Sequence, residues 1–207
     1  YSSGDSFAVG TTTVTYTATD AAGNQTTGSF TVTVNEVEAP VISGMPANIT
    51  QTADAGACSA VVSWTAPTAS DNCGVDSFTS THQIGDAFAV GTTTVTYTAI
   101  DAAGNSTSAS FAVTVTDDEA PVISGMPSNV SQSNDAGNCS AVVSWPAPSA
   151  SDNCGVATFT STHSSGDAFA VGTTTVYYTA TDVNGNTTTS TFDVTVTDDE
   201  NPAFSGM

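Results

Sequence analysis

From Thr92 to Ala99 apolar and polar positions alternate, with Val95, Tyr97 and Ala99 on one face and threonines on the other. Phe111, Val113 and Val115 alternate in the same way, as do Ala60, Val62 and Trp64. A period of two with threonine facing outward describes a half-buried antiparallel strand, because the β-branched hydroxyl side chain suits a pleated, solvated face. No stretch carries the i, i+3, i+4, i+7 apolar spacing of a helix. Ala102 to Asn105 reads as a tight turn in which Gly104 adopts a positive φ, so the strands on either side form a hairpin. Short strands punctuated by Gly, Pro and Asn, with a tryptophan on an early strand, predict an all-β, two-sheet antiparallel sandwich of about seven strands per unit. The expected core is Val41, Ile42, Ile49, Val62, Trp64, Phe78, Phe88, Val90, Val95, Tyr97, Phe111, Val113 and Val115, with their counterparts one repeat on. Trp64 and Trp145 could instead form a sugar-stacking platform, but their place in the alternation favours the core.

The pattern recurs at a constant offset. Pro40, Pro121 and Pro202 open one phrase, and Gly10, Gly91 and Gly172 open another. Residues 40–120 and 121–201 align without a gap and share 59 of 81 positions. The predicted organisation is the C-terminal part of a truncated repeat at 1–38, full repeats at 39–119 and 120–200, and the start of a next repeat at 201–207. A chain that begins and stops in mid-phrase reads as a window on a longer array, and tandem arrays of this kind build length.

A unit of about 80 residues is small enough to benefit from a cross-link. Each full unit holds two cysteines at one fixed spacing, Cys58 and Cys73, then Cys139 and Cys154. An even number per unit suggests one bridge within each, contributing roughly 3 kcal/mol for a loop of that length. Zinc would need more ligands than lie nearby, and free thiols are the other reading. The bridge is not geometrically free: a strand from Ser59 to Trp64 spans roughly 20 Å, so Cys73 reaches Cys58 only if the chain through Pro67 folds back. Disulfides imply an oxidising, extracellular setting.

Charge sharpens this picture. The chain has 20 carboxylates and no lysine or arginine, for a net charge of −20. Without cations it cannot neutralise phosphate, which excludes nucleic acid and anionic lipid as partners, and nothing in this segment predicts membrane insertion. Like-charged chains repel, so fibres pair laterally only where a divalent cation bridges them. His82 and His163 stand near Asp86 and Asp167 among many serines, but no Gly-x-Ser-x-Gly elbow or phosphate loop accompanies them, and the chain is not expected to be an enzyme.

The phrase from Cys58 through Trp64 and Pro67 to Asp71, Asn72, Cys73 and Gly74, followed by Phe88 to Gly91, Val95 to Tyr97 and Asp101 to Asn105, resembles the hyalin repeat. The resemblance implies immunoglobulin-like sandwiches in tandem in extracellular adhesion proteins, and is similar to what long surface adhesins of gliding bacteria carry. Two further cysteines frequent in that family are missing: the stretches around Thr79 to Thr81 and Ser108 to Ser110 hold only Ser, Thr and Ala, so the family's full disulfide pattern does not carry over.

The acids cluster. Asp117, Asp118 and Glu119 precede Pro121, their counterparts Asp198, Asp199 and Glu200 precede Pro202, and Glu36 and Glu38 precede Pro40. Adjacent carboxylates without a cation favour a hard divalent ion held by oxygens, and Ca2+ is the candidate, at about 10⁻⁴ to 10⁻³ M affinity. In such a sandwich the last hairpin turns at the end facing the previous unit. That places Asp182 and Asn186 beside Asp117 to Glu119, and Asp101 and Asn105 beside Glu36 and Glu38, in the manner of cadherin linkers; Asp152 and Asn153 join them if the disulfide allows. Each of these turns is also a good Asx turn without any metal. The expected function is a structural segment of a long extracellular, cell-surface adhesin or fibre whose repeats supply reach and adhesion, with the ligand, a surface or glycan, met through other parts of the protein. The alternative is a multivalent glycan- or protein-binding array, for which the outward-facing Tyr177 is the one suggestive side chain.

Overall fold

A computed structural model describes residues 1–202; the expected start of a further repeat at 201–207 therefore lies mostly outside the described residues. Among the described residues all regular elements are strands. Residues 1–38 contribute one hairpin, β1 (Gly10–Thr19) and β2 (Gln25–Val34). The next repeat holds β3 (Val41–Ser43), β4 (Ile49–Thr52), β5 (Ser59–Val61), β6 (Thr68–Ser70), β7 (Val75–Ser80), β8 (Ala87–Ala89), β9 (Gly91–Asp101) and β10 (Ser106–Thr116). The last repeats this order as β11 (Val122–Ser124), β12 (Val130–Ser133), β13 (Ser140–Val142), β14 (Ser149–Ser151), β15 (Val156–Ser161), β16 (Ala168–Ala170), β17 (Gly172–Asp182) and β18 (Thr187–Thr197). Each full repeat thus has eight strands where about seven were expected.

Four-stranded sheets run β4-β10-β9-β7 and β12-β18-β17-β15, accompanied by the two-stranded pairs β3-β6, β5-β8, β11-β14 and β13-β16. The ladders are antiparallel except at one edge of each large sheet, where β4 lies parallel to β10 and β12 parallel to β18. Gly104 sits at φ 93° in the β9–β10 turn, as the alternation on either side demands.

Contacts divide the chain into two compact units. The first comprises residues 1–48, 64–84 and 94–112, and the second 49–63, 85–93 and the described residues from 113 onward. In the second, Ala141, Val143, Trp145 and Phe169 from the small-pair layer pack on Val176, Tyr178, Phe192, Val194 and Val196 of the large sheet, which makes the sandwich core. Trp145 is 7% exposed and its Nε1–H donates to the Tyr178 hydroxyl at 2.9 Å. In the first unit Trp64 donates to Tyr97 in the same way at 2.8 Å. Trp145 is a core residue, and Trp64 is partly buried against Tyr97 and Phe111. Replacing Trp145 by Phe is expected to destabilise the fold by about 1–3 kcal/mol in chemical denaturation, since it leaves the buried Tyr178 hydroxyl without its donor.

Three expected core positions face solvent: Val41 and its counterpart Val122 are each 57% exposed and Val171, the counterpart of Val90, is 42% exposed, while the prolines before the first two, Pro40 and Pro121, are fully buried. One-residue phase decides which side chain enters the core. Tyr16 and Phe30 stack on each other yet stay half-exposed, whereas their equivalents Tyr97, Phe111, Tyr178 and Phe192 are buried. The β1–β2 hairpin has no small-pair layer of its own to cover them.

Candidate functional site at the linker

The residues that precede Pro121 meet three other segments of the second unit. The β17–β18 turn arrives first. Asn186 Nδ2 donates to the carbonyls of Asp117 and Glu119 at 3.2 and 3.3 Å, and Asn184 Nδ2 donates to Asp117 Oδ2 at 2.9 Å. Within that turn Asp182 Oδ1 accepts the backbone N–H groups of Asn184, Gly185 and Asn186, and its Oδ2 accepts Asn186 Nδ2 at 2.7 Å. This is an Asx turn carried by a buried carboxylate.

The second arrival is the loop from Asp152 to Gly155. Asp152 Oδ1 accepts the N–H groups of Cys154 and Gly155, and Asn153 Nδ2 donates to the Ala57 carbonyl at 3.0 Å and to Asp117 Oδ1 at 3.3 Å. The third is the turn at Gly56, whose N–H donates to Glu119 Oε2 at 2.9 Å. Asp117, Asp152 and Asp182 thereby bring one carboxylate oxygen each within 4.8 Å of one another.

A disulfide closes the arrangement, and its pairing corrects the expectation from sequence. Cys58 is bonded to Cys154, 96 residues away and one repeat on, with Cα atoms 4.7 Å apart; Cys73 and Cys139 are thiols. The reason is visible in the last repeat. Cys154 precedes Val156, which pairs with Asp182 at the turn end of β17, while the Cys139 carbonyl accepts from Val171 beside Gly172 at the other end of that strand. A strand of 11 residues separates those ends by roughly 33 Å, so the two cysteines of one repeat cannot meet. The bonded partners are one repeat offset plus one cysteine spacing apart, Cys58 to Cys139 and then Cys139 to Cys154.

Around the linker before Pro40 the same parts recur in the first unit. Asn105 Nδ2 donates to the Glu36 carbonyl at 3.4 Å and to Asp101 Oδ2 at 2.7 Å, and Glu38 N–H donates to Glu36 Oε1. Cys73 donates its thiol to Glu36 Oε2 at 2.6 Å, helped by Asn72. That hydrogen bond, with burial and the negative charge nearby, pushes the Cys73 thiol up to about 11, while the same bond and the Glu38 N–H hold the Glu36 carboxyl below its ordinary value against the opposing effect of burial.

Of the residues singled out from sequence, Asp117, Glu119, Asp182 and Asn186 are brought together, as are Glu36, Glu38, Asp101 and Asn105, while Asp118 is exposed. Asp152 belongs with the first group. The expected bridge between Cys139 and Cys154 had made its place there conditional. Asn184 had no signal, since Ala103 stands at its place in the other repeat.

The carboxyls of the two buried turn aspartates are shifted downward as well. For Asp101 and Asp182 burial, the largest influence, opposes ionisation, but the hydrogen bonds from Asn105 and Asn186 and from the backbone N–H groups of each turn outweigh it. A group whose pKa is depressed in the folded state stabilises fully above its unfolded value, here near 3.8, and loses that contribution as pH falls through the folded value. An acid titration followed by circular dichroism is therefore expected to show the fold holding at pH 4 and weakening below it. Asp182→Asn, which can no longer accept through both oxygens, should lower stability at neutral pH and flatten that acid limb.

The linker geometry recurs at the period of a repeat family, and comparison with known proteins names it. The HYR domain model matches residues 1–34, 35–115 and 116–196. The chain belongs to the HYR domain family. It is 41% identical over 200 residues to hyalin of Lytechinus variegatus, covering 93% of this chain and 38% of that protein. Hyalin of Strongylocentrotus purpuratus is also 41% identical, over 201 residues, 93% of this chain and 17% of that protein. The rat protein named for its sushi, von Willebrand factor type A, EGF and pentraxin domains is 38% identical across 77% of the chain and 4% of its own length. The chain thus spans well under half of the curated relatives it matches. A protocadherin gamma C5 EC1-3 crystal structure aligns over 90% of this HYR chain and 77% of its own at 14% identity, with a TM-score of 0.36. No helix among the described residues is long and apolar enough to cross a membrane.

Proposed function

We propose that this HYR chain is a non-enzymatic structural segment of a long extracellular, cell-surface adhesin or fibre, in which repeats 39–119 and 120–200 supply reach and set the spacing of whatever adheres. The observation that carries this reading is the linker itself. A chain segment of Asp117 to Pro121 that is bonded to three neighbouring loops and closed by a disulfide is suited to fixing one repeat against the next, a use that a lone binding domain does not have. Membership of the HYR family and identity to the two hyalins support the extracellular adhesion context.

Ca2+ belongs to the same reading, at the cluster of Asp117, Asp152 and Asp182. Asp152 Oδ2 and Asn153 Oδ1 are buried there with no hydrogen-bond partner, and buried polar atoms ordinarily have one. The protein has no lysine or arginine to neutralise three neighbouring carboxylates. A hard cation with oxygen ligands fits that donor set. Asp182, already accepting four N–H groups, contributes mainly charge, while Asp117, Asp152 and Asn153 offer the ligand atoms. At the linker before Pro40, Glu36, Asp71 and Asp101 occupy the equivalent positions, and Asp71 Oδ2 is likewise buried without a partner. Asn105 and Asn186 position the clusters, and Glu38, Asp118 and Glu119 add negative charge around them.

Small-angle scattering of the chain in millimolar calcium and then in chelator tests this function. A stalk is expected to scatter as one rigid particle with calcium and to gain flexibility on chelation. Identical curves would mean that amide donors alone hold the acids. The second reading, a multivalent glycan- or protein-binding array, draws on Tyr177, which is 47% exposed. It predicts glycan-array binding that Tyr177→Ala abolishes.

A further inference from the structure

We propose that HYR repeats of this register are joined by a disulfide ladder, each repeat bonding one cysteine forward and one backward. A second covalent path, in each repeat only as long as the segment from its first cysteine to its second, then runs alongside the full backbone. The proposal deepens the structural reading above and rests on it for its purpose, though not for its chemistry.

The bonded pair and the two thiols are equivalent positions. Cys139 is Cys58 one repeat on, and Cys73 is Cys154 one repeat back. Both halves of the link are built before it closes. On the forward half, Val61 N–H donates to Asp54 Oδ2 at 3.0 Å and Asp54 N–H to the Ser59 carbonyl at 2.8 Å. Around the open Cys139 the corresponding bonds are Val142 to Asp135 Oδ2 at 3.0 Å and Asp135 to the Ser140 carbonyl at 2.8 Å. Gly56 N–H meets Glu119 at 2.9 Å, and Gly137 N–H meets Glu200 at 2.8 Å. On the backward half, Asp152 Oδ1 accepts the Cys154 N–H at 2.8 Å, and Asp71 Oδ1 accepts the Cys73 N–H at the same distance.

The surroundings match as well. Beside the closed link lies a cleft lined by Gly56, Glu119, Ala120 and Val122 together with Ser151, Asp152 and Asn153. Its counterpart, lined by Asn134, Gly137, Asn138, Asp198, Glu200 and Pro202, carries Cys139 in its wall. That cleft is shaped for the Asp-Asn-Cys-Gly loop of a following HYR repeat. Closing a link takes two protons and two electrons from a pair of thiols. A low-molecular-weight disulfide accepts them by exchange and leaves as two thiols.

The mechanical consequence follows from connectivity. Under tension the backbone between Cys58 and Cys154 is bypassed. In a continued array the taut path crosses each disulfide, runs back over the segment from one cysteine of a repeat to the other, and crosses the next. Each repeat then yields about 50 Å on unfolding, against about 280 Å for the whole backbone of a repeat.

Single-molecule stretching by the two termini tests this, first on the chain and then on a chain lengthened in register by a second copy of residues 120–200. In the chain, reductant is expected to release 96 residues, about 340 Å of contour. The added repeat should lengthen the oxidised molecule by about 50 Å and the reduced one by about 280 Å. Release of about 100 Å from the chain, the sum of two local loops each closed within a repeat, or no release, overturns the connectivity. Growth of the oxidised molecule by about 280 Å overturns the ladder. The full release in a protein that shows no adhesion or reach would instead overturn the function and leave the ladder standing.

Discussion

Replacing Cys154 with serine is expected to cost the fold about 4–5 kcal/mol, the chain-entropy value for a closed loop of about 100 residues, read by denaturant unfolding of the oxidised protein. Cys58→Ser should cost the same. Cys73→Ser and Cys139→Ser should cost little, because both side chains are exposed thiols. The pattern is diagnostic, since bridges within each repeat would make Cys73→Ser as damaging as Cys58→Ser and would give each a smaller effect of roughly 3 kcal/mol. The linker segment suffers most. Loss of the bond frees the Asp152 to Gly155 loop, and with it the hydrogen bonds from Asn153 to Ala57 and Asp117.

Calcium is expected to stabilise the protein by about 2.7 kcal/mol when present at about a hundred times its dissociation constant, seen as a rise in melting temperature that chelator reverses. Its origin is electrostatic. Two unit charges 4.8 Å apart repel by about 3.5 kcal/mol at an effective dielectric of about 20, and three carboxylates lie within that spacing here with no cationic side chain to relieve them. Asp152→Asn should abolish most of the response at this linker while raising the melting temperature of the calcium-free protein, because it removes a repelling charge. Asp118→Asn, at an exposed position, should leave the response in place. A melting curve indifferent to calcium in the parent protein would remove the ion from the account.

The strands were legible because threonine and valine alternate over whole hairpins, and a period of two leaves no other regular structure. The hairpin turns were legible from Asp101 to Asn105 and Asp182 to Asn186, where the residue types that make Asx turns stand in order. The core could be named at Val95, Tyr97, Phe111 and Val113 for the same reason, but not at Val41, where a strand as short as β3 does not reveal its phase. The linker acids could be placed against the hairpin turn because strand direction alone decides which end of a sandwich a turn faces. Cysteine pairing was not legible. Spacing along the chain favours Cys58 with Cys73, and only the length of β9 and β17, carried over to both repeats, shows that these lie at opposite ends. That one misreading also made the place of Asp152 conditional. In a tandem array the nearest cysteine in space belongs to the neighbouring repeat, an option that counting within a unit omits.

The most direct measurement is disulfide mapping of the native, oxidised chain. Free thiols are first alkylated, and the protein is then cut without reduction by an Asp-specific protease and chymotrypsin, since a chain without lysine or arginine offers trypsin nothing. The account predicts alkyl groups on Cys73 and Cys139 and a cross-linked pair of peptides containing Cys58 and Cys154. Peptides joining Cys58 to Cys73 and Cys139 to Cys154 would contradict it, and with it the linker as a covalent joint between HYR repeats.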